Sequence, residues 1–321
     1  MIMMNIDQKI ARSEKEWNEY RYKNIGIRES ADLFFGAVKR SLGKRIYCIG
    51  KTLYPRKEKT SFRSSYKIGS ENIIVSLTST ADRIKHIFPT LYSLTCQTHK
   101  PDLIILWLGK NDAYPKGIVS RIKSLGVTVI FVEDLGPHTK YYYAFKKYKN
   151  DPVITVDDDI IYHRRMIEEL YKTHLKNPDQ VIARRVNKMR FDLHKKLLKY
   201  CDFIWEYRDA KRPSHDLLAT GVGGVLYPAK ILSLDCFDNR SFLEVSPGAD
   251  DIWLKFMELS QDIKVCAVKD SKFFLDVINP ASQKISLSTD NVNKGKNDEC
   301  IRACTEYFGM NEDLCERMYK D

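Results

Sequence analysis

Three adjacent aspartates, Asp157, Asp158 and Asp159, are the side chains whose types and spacing best suit chemistry in this sequence. In an extended chain, Asp157 and Asp159 would point to one face and Asp158 to the other, which makes an Asp-x-Asp pair. Two carboxylates about 4 Å apart at a partly buried site repel by about 4 kcal/mol at an effective dielectric constant of about 20. A raised pKa, a neighbouring Lys or Arg, or a divalent cation would relieve this repulsion. Carboxylate oxygens favour Mg²⁺ or Mn²⁺ that bridges substrate phosphates.

The same aspartates have a second interpretation as caps of a following helix. Residues 164–170 have a helical pattern, and aspartate is a common residue at helix starts. A single aspartate is enough for a cap, so the presence of three favours the cation site.

Two further acidic residues, Asp250 and Asp251, follow a Pro-Gly turn at the start of a predicted helix. Acidic side chains in the first turn of a helix cap its free N–H groups and compensate its dipole. With an acidic metal site upstream, a carboxylate at this position is also placed to orient or deprotonate an attacking hydroxyl group. We favour the second role.

Glycines and a lysine complete the candidate site. The turn that contains Gly221, Gly223 and Gly224 permits close approach of the backbone to a ligand, although a bulged turn would use the same residues. Residues 136–147 combine aromatic rings with cations, which suits a nucleotide because a ring can stack on the base while a cation meets phosphate. An amphipathic helix explains most of these residues, and Lys140 is the one retained for the site.

The elements that must position these residues are predicted from apolar runs. Strands are predicted at residues 72–77, 103–108, 127–132 and 153–156. Their alternation with helices indicates a mostly parallel sheet, whose ligands bind at the carboxyl ends of the strands. Thr78, Ser79 and Arg83 follow the first strand, so they are predicted to share one edge with the three aspartates. Pro89 requires the next helix to be kinked or to begin after Arg83.

Charge is unevenly distributed along the 321 residues, whose formal net charge is +11. Residues 36–70 contain ten basic residues and one acidic residue. We therefore expect a basic, partly helical N-terminal extension at residues 1–70 and one α/β domain at residues 71–321. The extension would bind an anionic membrane surface, pack on the domain or remain a solvated tail.

Cysteine usage and hydropathy indicate the compartment. Eight cysteines without a Cys-x-x-Cys pair argue against a zinc site and for free thiols in a reducing compartment. The start of the chain lacks the apolar core of a signal peptide, and no apolar run approaches the length of about 18 residues that a membrane span requires. We expect a cytoplasmic protein, peripheral on the inner face of the cell membrane if the basic extension binds there.

Five motifs in one order resemble the nucleotide-sugar-dependent glycosyltransferases of the GT-A fold, specifically the bacterial family-2-like enzymes of surface polysaccharide synthesis. The motifs are Ile-Ile-Val-Ser-Leu-Thr-Ser at 73–79 with Arg83, Ser-Leu-Thr-Cys-Gln-Thr at 93–98, Val-Asp-Asp-Asp at 156–159, Thr-Gly-Val-Gly-Gly at 220–224 and Ala-Asp-Asp-Ile-Trp at 249–253. The resemblance implies a GT-A (Rossmann-like) α/β fold, in which a mostly parallel sheet is flanked by helices.

The resemblance also implies a role for each matching residue. Asp159 would ligate Mn²⁺ or Mg²⁺ on the sugar-nucleotide diphosphate, and Asp157 would contact the metal or the ribose. The nucleotide, expected to be UDP, would be held by Thr78, Ser79, Arg83, Lys140 and Asp158. Gly223 and Gly224 would line the pocket for the donor sugar and the acceptor. Asp251 or Asp250 would lie near the acceptor hydroxyl, where inverting members have their general base.

The sequence therefore predicts a metal-dependent glycosyltransferase that moves a sugar from a nucleotide-sugar donor to a saccharide or lipid-linked glycan acceptor. A sugar nucleotidyltransferase would share the metal and the diphosphate, but that chemistry usually requires a Gly-rich basic loop, and residues 78–83 contain no glycine. A basic nucleic-acid-binding protein would need aromatic residues among the basic ones of residues 39–67, where only four occur. No nucleic-acid partner is expected.

Overall fold

A computed structural model describes residues 68–232, 240–271, 276–278, 295–310 and 314–319. Its strands are β1 (Ile74–Thr78), β2 (Leu103–Gly109), β3 (Thr128–Val132), β4 (Val153–Thr155), β5 (Ile160–Ile161), β6 (Val181–Ala183), β7 (Val186–Lys188), β8 (Leu217–Ala219), β9 (Val225–Tyr227), β10 (Val265–Ala267) and β11 (Val277–Ile278). Its helices are α1 (Phe88–Thr95), α2 (Ile118–Lys123), α3 (Thr139–Lys147), α4 (Met166–His174), α5 (Phe242–Val245), α6 (Asp250–Ser260), α7 (Lys296–Tyr307) and α8 (Leu314–Met318). The N-terminal extension expected at residues 1–70 lies outside the described residues except for its last three.

The central sheet has seven strands in the order β10-β6-β9-β4-β1-β2-β3. Strand β9 runs antiparallel to β4 and β6, and every other neighbouring pair in this sheet is parallel. The predicted α/β fold, a mostly parallel sheet flanked by helices, is confirmed. The four predicted strands correspond to β1, β2, β3 and β4, and their carboxyl ends lie along one edge.

Burial on both faces of the sheet explains the β-branched runs in the sequence. In β1, Ile74 belongs to one core cluster and Val75 to the other, and Val153 and Ile154 of β4 divide in the same way. All four side chains are at most 3% exposed. Burial of such a side chain contributes about 2 kcal/mol, so covering both faces favours placing these strands at the centre of the sheet.

The segment after β1 confirms that the helix begins after Arg83. A 3₁₀ turn at Ile84–His86 comes first, and α1 then starts at Phe88 with Pro89 in its first turn. Proline is tolerated there because the first N–H groups of a helix have no helical partner. Residues 79–83 are therefore left as a loop at the carboxyl end of β1.

The predicted amphipathic helix is also confirmed as α3. It buries Tyr141 and Tyr142 in the core and exposes Lys146 and Lys147. These two tyrosines therefore serve packing. Across the described ranges, no helix has the length and apolar character that would let it cross a membrane.

Candidate active site

The site forms at the carboxyl edge of the sheet, where four segments distant in sequence meet. These are the loop after β1, the aspartates after β4, the glycine turn before β9 and the start of α6. The first helical turn of α3 lies against them because the Ser76 hydroxyl donates a hydrogen bond to the Lys140 carbonyl. Trp107 Nε1 in turn donates to Ser76 Oγ at 2.8 Å, so buried polar contacts fix the position of α3 relative to β1 and β2.

The backbone around the aspartates differs from the extended geometry expected from the sequence. Strand β4 ends at Thr155, and Asp158 and Asp159 form a turn before β5, so strict alternation of their side chains was a wrong prediction. Two buried groups hold this turn. Thr90 Oγ1 donates to the Asp158 carbonyl at 2.9 Å, and the Asp157 N–H donates to the Tyr162 hydroxyl at 2.8 Å.

The helix-capping interpretation of the aspartates is excluded by the same segment. Helix α4 begins at Met166 and is preceded by Arg165, which occupies the capping position. Strand β5 separates this helix from Asp159. None of the three aspartates therefore occupies the capping position of this helix.

Asp158 is bound by protein groups from the loop after β1. Its Oδ2 accepts hydrogen bonds from Ser79 Oγ at 2.6 Å and from Arg83 Nε at 3.2 Å, and Arg83 Nη2 contacts its Oδ1. Burial raises the pKa of Asp158 even though the Arg83 charge opposes the rise. Arg83 Nη2 also lies 3.0 Å from Asp159 Oδ2. The structure therefore brings Ser79 and Arg83 to the aspartates, as predicted, whereas Thr78 donates to the Trp107 carbonyl of β2 at 3.1 Å.

Lys140 joins the two acidic groups that are far apart in sequence. Its Nζ lies 2.8 Å from Asp157 Oδ1 and 2.9 Å from Asp250 Oδ2, and its side chain is 8% exposed. Burial lowers the pKa of Lys140, but the negative charges of Asp157, Asp250 and Asp251 outweigh burial and raise it well above its ordinary value. A buried lysine with these partners stays charged, so it links the carboxylates after β4 to those that begin α6.

Asp251 reaches across to the glycine turn. Both of its carboxylate oxygens accept the Gly221 N–H, each at 3.2 Å. Burial, together with the neighbouring charge of Asp250, raises the pKa of Asp251 to about 8. The residue before α6, Ala249, makes no side-chain cap, and Asp251 bonds to another segment, which favours a role beyond capping.

The glycine turn approaches the acidic residues closely. A Cβ atom added to Gly221 would lie 3.0 Å from Asp157 Oδ1 and 3.2 Å from Lys140 Nζ. Gly224 has φ of +82°, a conformation that favours glycine. The turn therefore needs glycine at Gly221 for space and at Gly224 for backbone conformation, and both needs suit the predicted close approach to a ligand.

Two residues of this region were not predicted from the sequence, Arg185 and Tyr200. A Cβ atom added to Gly223 would lie 3.0 Å from the Arg185 Cβ, so Arg185 borders the glycine turn. Burial and the negative charge of Asp251 raise the pKa of Tyr200 to about 12, and the positive charge of Arg185 opposes this rise, so both charges act on the phenol. A signal for Arg185 was present, because two arginines directly follow the short apolar run that forms β6.

The charge balance of the site suits a cation. The aspartates after β4 and at the start of α6 contribute five carboxylates, against the two cations Arg83 and Lys140. Burial and the charge of Asp157 raise the pKa of Asp159 to about 6. The side chains of Asp157 and Asp159 remain 26% and 16% exposed, so solvent reaches both. Each of these two carboxylates contacts one cation, and the carboxylates of the site as a whole outnumber its cations.

The donor set fits Mn²⁺ or Mg²⁺ that shares its coordination with a ligand. In the part of the chain that the structure describes, no three His, Cys, Asp or Glu side chains converge to hold a metal ion by themselves. Mg²⁺ characteristically takes one or two carboxylates and completes its shell with waters and substrate phosphates. Asp157 and Asp159 supply oxygens of this kind, so we expect a diphosphate ligand to complete the shell.

The buried carboxyl group of Asp251 predicts how stability depends on pH. Its folded-state pKa of about 8 is above the value of about 3.9 expected in the unfolded chain. Protonation therefore stabilises the folded state at low pH, and this contribution is lost as the pH rises through about 8. Relative to Asp251→Asn, the ligand-free wild type should lose on the order of 3 kcal/mol of unfolding free energy between about pH 5.5 and pH 8.5. Urea unfolding of both proteins across this range measures the difference, and a difference that stays constant with pH would contradict the burial of a titrating Asp251.

Comparison with known proteins gives a family match for the segment that contains most of these residues. Residues 78–226 match the model of the family described as glycosyl transferase family 2. The matching segment contains the loop after β1, Lys140, the three aspartates and the glycine turn. No curated protein is significantly similar in sequence to this chain.

Among solved structures, the chain is similar to glucosyl-3-phosphoglycerate synthase from Mycobacterium tuberculosis in complex with Mn²⁺, UDP and glucosyl-3-phosphoglycerate. The identity is 16%, the TM-score is 0.30, and the alignment covers 35% of this chain and 43% of that chain. The complex of the same enzyme with Mg²⁺ and UDP aligns at 16% identity and a TM-score of 0.29, with coverage of 35% and 43%. The chain thus spans less than half the length of these structures. The match of residues 78–226 to this family confirms the resemblance of the chain to family-2-like glycosyltransferases.

Proposed function

We propose that this protein is a metal-dependent glycosyltransferase that transfers a sugar from a nucleotide-sugar donor, UDP-linked, to a hydroxyl group of a saccharide or lipid-linked glycan. The observation that carries the proposal is that two clusters of aspartates, far apart in sequence, come together at one site. The first cluster lies in the segment that matches the family, and the second lies outside that segment. Lys140 joins them, because its Nζ contacts Asp157 of the cluster after β4 and Asp250 of the pair that begins α6. A donor site and an acceptor site would therefore meet at one lysine.

On the donor side, Asp159 and Asp157 would hold Mn²⁺ or Mg²⁺ together with the diphosphate. The cation would neutralise the negative charge that develops on the departing nucleoside diphosphate. Ser79 and Arg83 fix Asp158 and so maintain the turn that carries the two ligands. Thr78 and Lys140 would face the nucleotide, and the backbone of Gly223 and Gly224 would border the donor sugar.

On the acceptor side, Asp251 would accept the proton of the attacking hydroxyl group on one of its carboxylate oxygens. The Gly221 N–H orients that carboxylate, and Lys140 holds Asp250 beside it. The raised pKa of Asp251 makes its carboxylate a stronger base than an exposed aspartate. Asp250 is paired with Lys140, so Asp251 is the better placed of the two to take the proton.

We also propose where in the cell the enzyme acts. The acceptor would be a glycan of the cell surface, and residues 36–70 would bring the cytoplasmic domain to an anionic membrane. The ten basic residues and one acidic residue of that segment support such contact, because each positive charge near an anionic surface contributes about 1 kcal/mol.

Donor binding is tested by thermal unfolding with a panel of UDP-sugars in the presence and absence of Mn²⁺. A ligand at a hundred times its dissociation constant stabilises the native state by about 2.7 kcal/mol. For a domain of this size, that corresponds to a rise in Tm of roughly 5 to 10 °C. We expect this rise only when Mn²⁺ and a nucleotide sugar are both present. Equal melting temperatures under all conditions would exclude the proposed donor site.

Substitution of Gly221 by alanine should weaken donor binding without unfolding the protein. The added Cβ would lie 3.0 Å from Asp157 Oδ1, a contact that requires the metal ligand or the turn to shift. We expect at least a tenfold weaker Mn²⁺-dependent affinity for the nucleotide sugar, measured by titration calorimetry. The Tm of the ligand-free variant should stay within a few degrees of the wild type, and unchanged donor affinity would show that this close approach is not used.

A further inference from the structure

A second group of loops opens on the same edge of the sheet as the aspartates. Strands β6 and β10 are parallel to each other, and β6 and β4 are both antiparallel to β9. Strands β4, β6 and β10 therefore point in one direction. The segments that follow β6 and β10, at residues 184–186 and 268–271, emerge beside the glycine turn that precedes β9.

Two adjoining cavities lie against these segments, with volumes of about 260 Å³ and about 290 Å³. They share Ala210, Ala267 and Lys269, so they form one continuous groove, which we call the basic groove. Beside Arg184, it is lined by six cationic side chains: Lys176, Arg185, Arg208, Lys211, Arg212 and Lys269. Its acidic lining residues are Glu206 and Asp270.

The other arginine of the groove, Arg184, has a structural role. Its side chain is fully buried and pairs with Glu169 at 2.9 Å and with Asp276 at 2.7 Å. Its charge is therefore balanced inside the protein. In the described part of the chain, no carboxylate pairs with Lys211, Arg212 or Lys269, so the groove keeps an excess of positive charge that faces solvent.

Arg185 connects the basic groove to the proposed reaction site. It lines the groove, borders Gly223 and stands 3.5 Å from Glu206. The glycine turn joins Arg185 to Asp251, because the Gly221 N–H donates to Asp251 and Gly223 borders Arg185. The charges of Arg185 and Asp251 both act on the Tyr200 phenol. A molecule that offered a hydroxyl group to Asp251 would thus extend past Tyr200 and Arg185 into the groove.

An exposed aromatic residue lies on this path. Trp205 is 37% exposed, and its ring packs edge-on against Tyr200 with centroids 5.4 Å apart. A rigid ring with an apolar face and a polar edge suits the apolar face of a sugar ring. Trp205 directly precedes Glu206, which lines the groove. The surface beside Tyr200 therefore combines an aromatic ring with the cations of the groove.

We propose that the acceptor of this enzyme is an anionic saccharide, whose carboxylate or phosphate monoester binds in the basic groove while its hydroxyl group lies at Asp251. The inference rests on the proposed function and adds the chemical class of the acceptor. The cations of the donor site are Lys140 and Arg83, both committed to aspartates, so the basic groove is separate from the groups that would meet the donor diphosphate.

The test compares anionic and neutral sugars as ligands of the full chain. Glucuronate, glucose 6-phosphate and glucose are titrated by NMR into the wild type and into the double variant Arg208→Gln/Lys269→Gln. Both side chains are exposed, so the double variant should keep its fold and Tm. The matched control is Lys116→Gln/Lys123→Gln, which removes two exposed cations beside and on α2, at the opposite border of the sheet.

We expect at least one of the two anionic sugars to bind the wild type at least tenfold more tightly than glucose, and to lose at least tenfold in affinity in the groove variant but not in the control. Binding should also weaken with added salt, because exposed charges are screened within about 8 Å at physiological ionic strength. Preference for glucuronate identifies a carboxylate and preference for glucose 6-phosphate identifies a phosphate. Equal binding of glucose, an unchanged groove variant, or no binding of any of the three sugars overturns the proposal.

Donor binding in the same samples separates this inference from the proposed function. If UDP-sugar with Mn²⁺ binds while the anionic sugars show no preference, the acceptor class is wrong and the glycosyltransferase proposal stands. If the UDP-sugar fails to bind, the proposed function itself is wrong.

Discussion

Replacement of Asp251 by asparagine is expected to lower the rate of sugar transfer about a thousandfold while leaving donor binding intact. General-base catalysis by a positioned side chain typically contributes between about a hundredfold and about ten thousandfold. Asparagine keeps the size of the side chain, and its carbonyl oxygen can still accept the Gly221 N–H. It cannot take up the proton of the acceptor hydroxyl. Initial rates with saturating donor and Mn²⁺ measure this effect as a loss in kcat.

The control for this substitution is Asp179→Asn, which changes an exposed aspartate that precedes β6 and therefore lies at the other edge of the sheet. The control should keep full activity. Asp251→Asn should still show the rise in Tm with UDP-sugar and Mn²⁺, because Lys140 keeps Asp157 and Asp250 in place. Transfer at more than about a tenth of the wild-type rate would assign the base to another residue.

Replacement of Asp159 by asparagine is expected to abolish transfer through the donor side of the site. The neutral amide is a poorer ligand for a hard cation than a carboxylate, and one of two proposed protein ligands would be lost. Asp159 has a pKa raised to about 6 by burial and by Asp157, so its charge is costly in the absence of a cation. Removal of that charge should leave the free energy of unfolding equal or slightly higher. We expect both the activity and the Mn²⁺-dependent rise in Tm to disappear.

Asp158 makes this prediction specific, because Ser79 and Arg83 bind Asp158 directly and would hold the turn in the Asp159→Asn protein. A loss of activity with an unchanged far-ultraviolet circular dichroism spectrum and Tm would therefore reflect metal chemistry and not unfolding. If Asp159→Asn retained Mn²⁺-dependent donor binding at wild-type affinity, Asp159 would not be a ligand. The Asp179→Asn protein again serves as the control.

The two substitutions separate the halves of the site. Asp251→Asn should bind donor without transfer, and Asp159→Asn should fail to bind donor. Lys140 connects the two halves in the described structure, because its Nζ contacts both Asp157 and Asp250.

The sequence predicts the elements of this fold well because its signals are local. The β-branched runs that become β1 to β4 are buried on both faces of the sheet, and their order along the chain indicates a parallel arrangement. Pro89 correctly predicts that α1 begins after Arg83, because proline is tolerated in the first turn of a helix and not in its interior. The position of Ser79 and Arg83 beside Asp158 also follows, since neighbouring parallel strands end at one edge.

The remaining features depend on contacts between distant segments, which local patterns do not encode. Strand β9 inserts antiparallel between β4 and β6, and its short apolar run gives no direction. The contact of Lys140 with Asp250 joins α3 to α6, and it requires the packing of both helices against the sheet. The turn at Asp158 depends on Thr90 and Tyr162, neither of which is next to it in sequence. Arg185 and Tyr200 were likewise not predicted, because they reach this region through the packing of segments that are far apart in sequence.

The most direct test of the central claim is the position of a metal ion in a crystal of the full chain grown with Mn²⁺ and a UDP-sugar. Anomalous scattering locates Mn²⁺ independently of the surrounding density. We predict one ion about 2.1 Å from a carboxylate oxygen of Asp159, shared with the donor diphosphate. A bound UDP-sugar with no metal at Asp157 or Asp159, or Mn²⁺ held elsewhere while these carboxylates turn away, would contradict the account.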